Sequence, residues 1–238
     1  MKTTCLFASK GVRVLSVCFL SLLIGGATVV QAQDHAQLGI HFMTVAPRGE
    51  FSENVTNNGY GISLQGLIRL GPTPFLAGGD LGFVVYGSQT RSEPLSDTIP
   101  DIRVRVRTTN GIFLPHFVLR AQPRTGLLRP YVEGLIGLKS LHTRTSLADV
   151  DDDDIVSSDT NLSDSTLSYG FGGGLQIPLT KGREARIMLD TGVRYLRGGR
   201  AEYLRKGSIR EVNGTLVYDV FSSRTDVLAV QIGVTLHF

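Results

Sequence analysis

The sequence predicts an all-β protein, a transmembrane antiparallel up-and-down β-barrel of eight strands. Three observations point there: segments that alternate apolar with small or polar residues recur along the chain, short and long polar connections take turns between them, and the final segment, Val227 to Phe238, is itself an alternating strand. No apolar run after residue 32 is long enough to cross a bilayer as a helix.

The first 32 residues stand apart. Lys2, Lys10 and Arg13 precede an apolar run from Val14 to Val30, and a small-x-small site closes at Ala32, the layout of a cleaved secretory signal peptide, so residues 33–238 are expected to form the barrel domain. That segment carries three of the 24 basic residues and none of the 21 acidic ones, so the remainder balances at 21 of each. The net charge of +3 therefore gives no argument for a nucleic-acid partner. Cys5 and Cys18 leave with the same segment, which excludes a disulfide framework, a thiolate metal site and a cysteine nucleophile.

Each strand is read from its period of two. The first spans roughly Gln37 to Ala46. In "YGISLQGLIRL", Tyr60, Ile62, Leu64, Ile68 and Leu70 share a face against Ser63, Gln65 and Arg69. Strands follow at about Phe75 to Ser88, Ile102 to Ala121 and Arg129 to Thr145. In "LSYGFGGGLQI", Leu167, Tyr169, Phe171, Leu175 and Ile177 oppose Ser168, Gln176 and three glycines. "RIMLDTGVRYL" sets Ile187, Leu189, Val193 and Tyr195 against Arg186, Asp190 and Arg194. The last strand sets Leu228, Val230, Ile232, Val234, Leu236 and Phe238 against Ala229, Gln231, Gly233, Thr235 and His237. Short turns fall at Gly71 to Pro74, Gln122 to Gly126 and Thr180 to Glu184; long polar loops fall at Pro47 to Asn58, Gln89 to Asp101, Ser146 to Ser165 and Gly198 to Asp226. Glycine, serine, glutamine and single charges suit a narrow interior but would coat a water-facing surface sparsely, which favours apolar-out over a soluble barrel.

"DIRVRVRTTNGIFLPHFVLRA" contains Asn110-Gly111, a hairpin signal, and would make a ninth strand if split. An even count favours one long strand with a bulge near Asn110-Gly111, which also accommodates Pro115. Unbroken alternation places Arg103, Arg105 and Arg107 on the lipid side with Phe113, Phe117 and Leu119, at the level of lipopolysaccharide phosphates; a bulge in this strand turns them inward. Both orientations stay open here.

Several stretches invite chemistry. From Asp149, "DVDDDD" fills positions 1, 3 and 5 of an EF-hand, but Asp154 stands where glycine is needed and Thr160 where glutamate is needed, leaving a loose calcium site or a solvated loop. "GFGGG" lies within a strand and opens no helix, so it makes room inside a small barrel instead of cradling phosphate. Arg69, Asp80, Glu133, Lys139, Arg186, Asp190 and Arg194 fall on the lumen face, where charges must pair, so little conductance is expected.

"RPYVEGLIGL" from Arg129, "YGFGGGLQIPL" from Tyr169, "LDTGVRYLRGGRAEYL" from Leu189 and the terminal "IGVTLHF" make the chain resemble the small outer-membrane β-barrel proteins of the OmpA/OmpX type, especially the "outer membrane protein beta-barrel domain" proteins of Bacteroidetes-like bacteria. The resemblance implies the outer membrane of a Gram-negative bacterium, contact with outer-membrane lipid and lipopolysaccharide, and no cofactor. It also implies that the barrel-assembly machinery recognises the terminal row Ile232, Val234, Leu236 and Phe238. A non-enzymatic, monomeric barrel working through surface loops is expected. The alternatives are a lipid A acyl hydrolase or transferase, for which Ser140 and His142 make the best pair, and a small pore or hydrophobic-solute channel.

Overall fold

The computed structural model describes residues 35–96, 99–149, 155–180, 186–204, 209–212 and 215–238, with the backbone alone for 91–96, 99–106, 147–149, 155–161, 209–212 and 215–218. Eight long strands form the wall: β1 (Ala36–Pro47), β2 (Gly59–Arg69), β3 (Phe75–Ser96), β4 (Ile99–Ala121), β5 (Arg129–Asp149), β6 (Ile155–Pro178), β7 (Arg186–Gly198) and, after four short strands, β12 (Val227–His237). Every neighbouring pair is antiparallel, and β12 returns to β1 to close the ring. His35 and Ala36 donate their N–H groups to the Phe238 carbonyl at 2.9 Å, so the closing ladder runs to the last residue. Closure leaves no free edge within the wall.

The period of two sets the polarity of that wall. Leu38, Ile40 and Phe42 on β1, Tyr60, Ile62, Leu64 and Ile68 on β2, and Val230, Ile232, Val234 and Leu236 on β12 all point outward and are exposed, as is Phe238 just beyond β12. Phe171, on β6, is 69% exposed, while Ser168 and Gln176 of the same strand are fully buried. A soluble protein does not expose an apolar surface that encircles it. From Leu228 to Phe238 the outward row covers ~34 Å along the strand at about 3.4 Å per residue. A tilt of about 40° reduces this to ~26 Å, the height of a barrel's lipid-facing belt. The chain is a transmembrane β-barrel.

Glycine shapes the wall at two kinds of place. Gly71 and Gly126 take positive φ (61° and 125°) in the short turns after β2 and β4, where the Thr73 hydroxyl also donates to the Leu70 carbonyl at 2.6 Å. On the inner face, a Cβ at Gly172 would lie 2.8 Å from Cγ of Arg194, so that glycine makes the room a buried arginine occupies.

Three expectations need correction. The connections read as long loops at Gln89 to Asp101 and Ser146 to Ser165 are largely strand: β3 pairs with β4 up to Ser96–Ile99, and β5 pairs with β6 up to Ala148–Ile155. The backbone pairing of these hairpins continues well beyond the length needed to cross the belt. The segment Gly198 to Asp226 holds β8 (Arg200–Tyr203), β9 (Ile209–Val212), β10 (Thr215–Tyr218) and β11 (Phe221–Arg224), paired β8 with β11 and β9 with β10. Third, β4 is one strand as expected, but the extra residue sits on its neighbour. Val85 pairs with Gly111 and Gly87 with Asn110, which leaves Tyr86 of β3 unpaired. Tyr86 shares the inward parity of Val84, and the extra residue moves the exposed parity of β3 from Leu81, Phe83 and Val85 to Ser88 and Thr90, while β4 keeps its alternation unbroken.

Candidate functional site

The lumen is occupied along its length, in two chemically distinct halves. The half nearer the short turns is polar. Glu133 of β5 lies between two arginines: Arg120 of β4 donates to its Oε2 from Nε (3.0 Å) and Nη2 (2.7 Å), and Arg194 of β7 donates from Nε to Oε1 at 2.6 Å. Nη1 of Arg194 reaches Asp80 Oδ2 of β3 at 3.1 Å. Asp190, also on β7, accepts from Tyr131 Oη (2.8 Å), Gln176 Nε2 (2.7 Å) and Thr235 Oγ1 (3.2 Å), with His41 Nε2 at 3.4 Å. The guanidinium carbon of Arg120 also lies over the Tyr131 ring, 3.8 Å from its centroid. Below Asp190 the chain of amides continues: Gln122 donates to Gln176 at 2.6 Å and Gln37 donates to Gln122 at 2.9 Å.

Near the long connections the interior turns apolar. Met43, Val84, Ile112, Leu114, Leu141, Leu196 and Val227 converge there, all buried. A one-turn helix, α1 (Glu50–Asn54), begins at Gly49 with φ 56° and inserts Phe51 into this layer. The Phe51 ring meets Tyr203 of β8 edge-on at 5.0 Å and Tyr86 at 6.0 Å. Tyr86 in turn donates to the Leu204 carbonyl at 3.2 Å, and Tyr203 shares a 2.8 Å hydrogen bond with Ser223 of β11. Three aromatic rings from three parts of the chain thus close the mouth. Lys139, buried on β5, fastens this cover from within by donating from Nζ to the Thr225 carbonyl. Glu50 accepts from the Arg224 backbone N–H at 3.1 Å and ties α1 to the same hairpin. Beside the cover a groove of about 260 Å³ opens between Glu53 to Asn57 and Tyr86 to Gly87.

Of the charges expected in the lumen, Arg69, Asp80, Glu133, Lys139, Asp190 and Arg194 are buried there, and Arg186 is half-buried. Sequence reasoning missed Arg120, His41 and Tyr131. Arg120 carried a usable signal, since it alternates with the outward Phe117 and Leu119. Ser140 and His142 lie on the outward parity of β5 with Leu138, and among the described residues neither hydrogen-bonds the other. Two Ser–His contacts form inside the wall, where all four residues are buried: His116 Nε2 with Ser168 Oγ at 2.9 Å, and His41 Nδ1 with Ser63 Oγ at 3.5 Å.

Because β4 has no bulge, Arg107 keeps the outward parity of Phe113, Phe117 and Leu119 and is exposed. Arg103 and Arg105 occupy the same parity of the backbone register, and their side chains lie outside the described residues. On β5 the exposed Arg144 faces Thr109, next to Arg107. Residues 1–34, and 150–154 of the acidic run, lie outside the described residues. Among those described, no group of three acidic, histidine or cysteine side chains could hold a metal ion.

No protein-family model and no curated protein matches the sequence. Solved structures that resemble the chain include Neisserial surface protein A, at 10% identity and a TM-score of 0.42 over 85% of this chain and 96% of that one. Ail, the attachment invasion locus protein of Yersinia pestis, is 15% identical with a TM-score of 0.35 over 86% and 97%. A major outer membrane protein from Thermus thermophilus is 12% identical with a TM-score of 0.30 over 86% and 100%. At these identities the likeness is one of fold alone, and the barrel rests on the closed ladder of this chain itself.

Proposed function

We propose that the protein is a monomeric, non-enzymatic barrel of a Gram-negative outer membrane that carries no solute through its lumen and acts by what it displays. The observation that supports this is the double closure of the interior, a paired-charge plug below and the Phe51–Tyr86–Tyr203 cover above. With no passage inside, chemistry is left to the outer surface: the tall β3–β4 and β5–β6 hairpins, the β8–β11 segment and the rim above the belt. In this proposal Arg103, Arg105 and Arg107 contact lipopolysaccharide phosphates from the outer wall of β4. The row Ile232, Val234, Leu236 and Phe238 is what the barrel-assembly machinery reads. Planar-bilayer recording tests the central point. The purified barrel should show no steady unitary conductance, and large sustained currents would overturn the proposal in favour of a pore.

A further inference from the structure

The outward row of β7 is apolar from Ile187 to Tyr195, apart from Thr191, and then ends on an exposed arginine, Arg197. Register fixes its height. Arg197 pairs with Tyr169 of β6, two residues short of the exposed Leu167, and beside it β12 gives out, since Leu196 already faces Val227. The guanidinium therefore sits at the upper rim of the belt, where a cation is tolerated, and away from the midplane, where it is not.

Two phenols flank it. The register sets Tyr169 opposite Arg197 across the ladder, and Tyr195 lies two residues below it on the same outward parity of its own strand. No carboxylate among the described residues pairs with it. The nearby acid, Asp226, is engaged elsewhere: its Oδ1 accepts from the Gly198 N–H at 3.0 Å, and its Oδ2 lies 3.5 Å from the Tyr195 hydroxyl. A guanidinium has five N–H donors in a planar fork. Two phenol oxygens leave the greater part of that fork unused. A phenol hydroxyl beside the guanidinium has a proton of its own to donate.

A membrane interface offers such a fork one abundant full negative charge, the phosphate of a lipid headgroup, and Arg–phosphate pairing is bidentate. We infer that Arg197, Tyr169 and Tyr195 form a binding site for the phosphate of a membrane lipid. The acyl chains run down over Phe171, whose ring lies 6.3 Å from that of Tyr195 and is the most exposed aromatic of β6. This site lies on the β6–β7 wall and is independent of the arginines of β4.

Native mass spectrometry of the folded full-length barrel in detergent tests it, titrating bisphosphorylated lipid A, its dephosphorylated counterpart and inorganic phosphate. Loss of a charge-assisted pair should weaken lipid A retention about tenfold in Arg197→Gln. Arg197→Lys should recover only part, because an ammonium cannot fork, and Tyr169→Phe should lose a smaller factor. Dephosphorylated lipid should bind wild type as weakly as Arg197→Gln binds lipid A. Arg197 is exposed, so both proteins should keep the same heat-modifiable migration. Equal lipid A retention by folded wild type and Arg197→Gln would overturn the site. Displacement of lipid A by millimolar inorganic phosphate would overturn the lipid assignment in favour of a free-phosphate site, and failure to displace it supports the lipid.

Discussion

Arg194 is the side chain whose loss should unbalance the lumen most. It is buried, it donates to Glu133 at 2.6 Å and to Asp80 at 3.1 Å, and among the described residues no second guanidinium pairs with Asp80. Arg194→Met leaves Asp80, Glu133 and Asp190 to share Arg120 alone, and removing one partner of a buried pair costs about 3–5 kcal/mol. Glu133→Gln acts in the opposite sense. It leaves one carboxylate for each arginine, Asp80 at 3.1 Å from Arg194 and Asp190 at 3.7 Å from Arg120, and the new amide oxygen still accepts one bond. Its cost should be near that of weakening charged hydrogen bonds, about 1.5–3 kcal/mol. Urea unfolding of the barrel in lipid vesicles, followed by far-ultraviolet circular dichroism, measures both. The Asp80→Leu/Arg194→Met double variant should be clearly more stable than the two single losses added together, because it removes the orphaned carboxylate along with its partner. Equal costs for Arg194→Met and Glu133→Gln, or an additive double variant, would show that these groups do not act as one network.

Three further outcomes are expected. Phe51→Ala removes the ring between Tyr86 and Tyr203 and should cost about 3–5 kcal/mol in the same unfolding experiment if the cover is a packed part of the fold; a change under about 1 kcal/mol would mean the cover is loose. The triple replacement of Arg103, Arg105 and Arg107 by alanine should lower lipopolysaccharide affinity and flatten its salt dependence, and unchanged binding would remove these residues as a contact. Phe238→Ala should slow insertion by the assembly machinery in a reconstituted assay while leaving the folded barrel intact, and wild-type kinetics would exclude the terminal row as a recognition element.

The belt was legible in the sequence because one physical demand, lipid on one side of each strand, imposes an alternation that glycine and serine on the other face do not blur. Tyr60 to Ile68 and Val230 to Phe238 were placed on their correct face for that reason. Lumen charges were legible by the same parity, and Arg120 could have been. The upper part of the β3–β4 hairpin was less so: "RSEPLS" shows no period of two, and it is the backbone pairing with β4 that makes it strand. The bulge at Tyr86 escaped for a related reason. Asn110-Gly111 carries turn chemistry, whereas the extra residue sits opposite it on β3, at Tyr86, which is itself no turn residue. The cover itself had a faint signal, isolated apolar residues within polar loops, Phe51 in "GEFSEN" and Tyr203-Leu204 in "AEYLRK".

A small membrane barrel is dry on both sides of its wall, which makes its interior more demanding than a soluble core. Lipid takes every large apolar outward residue, so a narrow lumen filled only with the remaining small and polar ones has to satisfy them without water. This chain meets that demand differently at its two ends. Where the wall is closed by short turns, carboxylates, arginines, amides and tyrosine hydroxyls pair with one another across all eight strands, with polar atoms such as Nη2 of Arg194 and Oε1 of Gln231 left without a hydrogen-bond partner. Toward the long connections the wall's own inward residues become apolar, and the loops supply the aromatic rings that complete them. Pairing there would have had to compete with water entering from the mouth, and apolar packing excludes that water instead. The cover thus does for the charge plug what bilayer lipid does for the belt, keeping solvent from groups whose partners lie only within the protein. It follows that the mouth segments are part of the fold's stability before they are part of any binding surface. Under the proposed function, recognition then falls to surfaces outside this packed mouth.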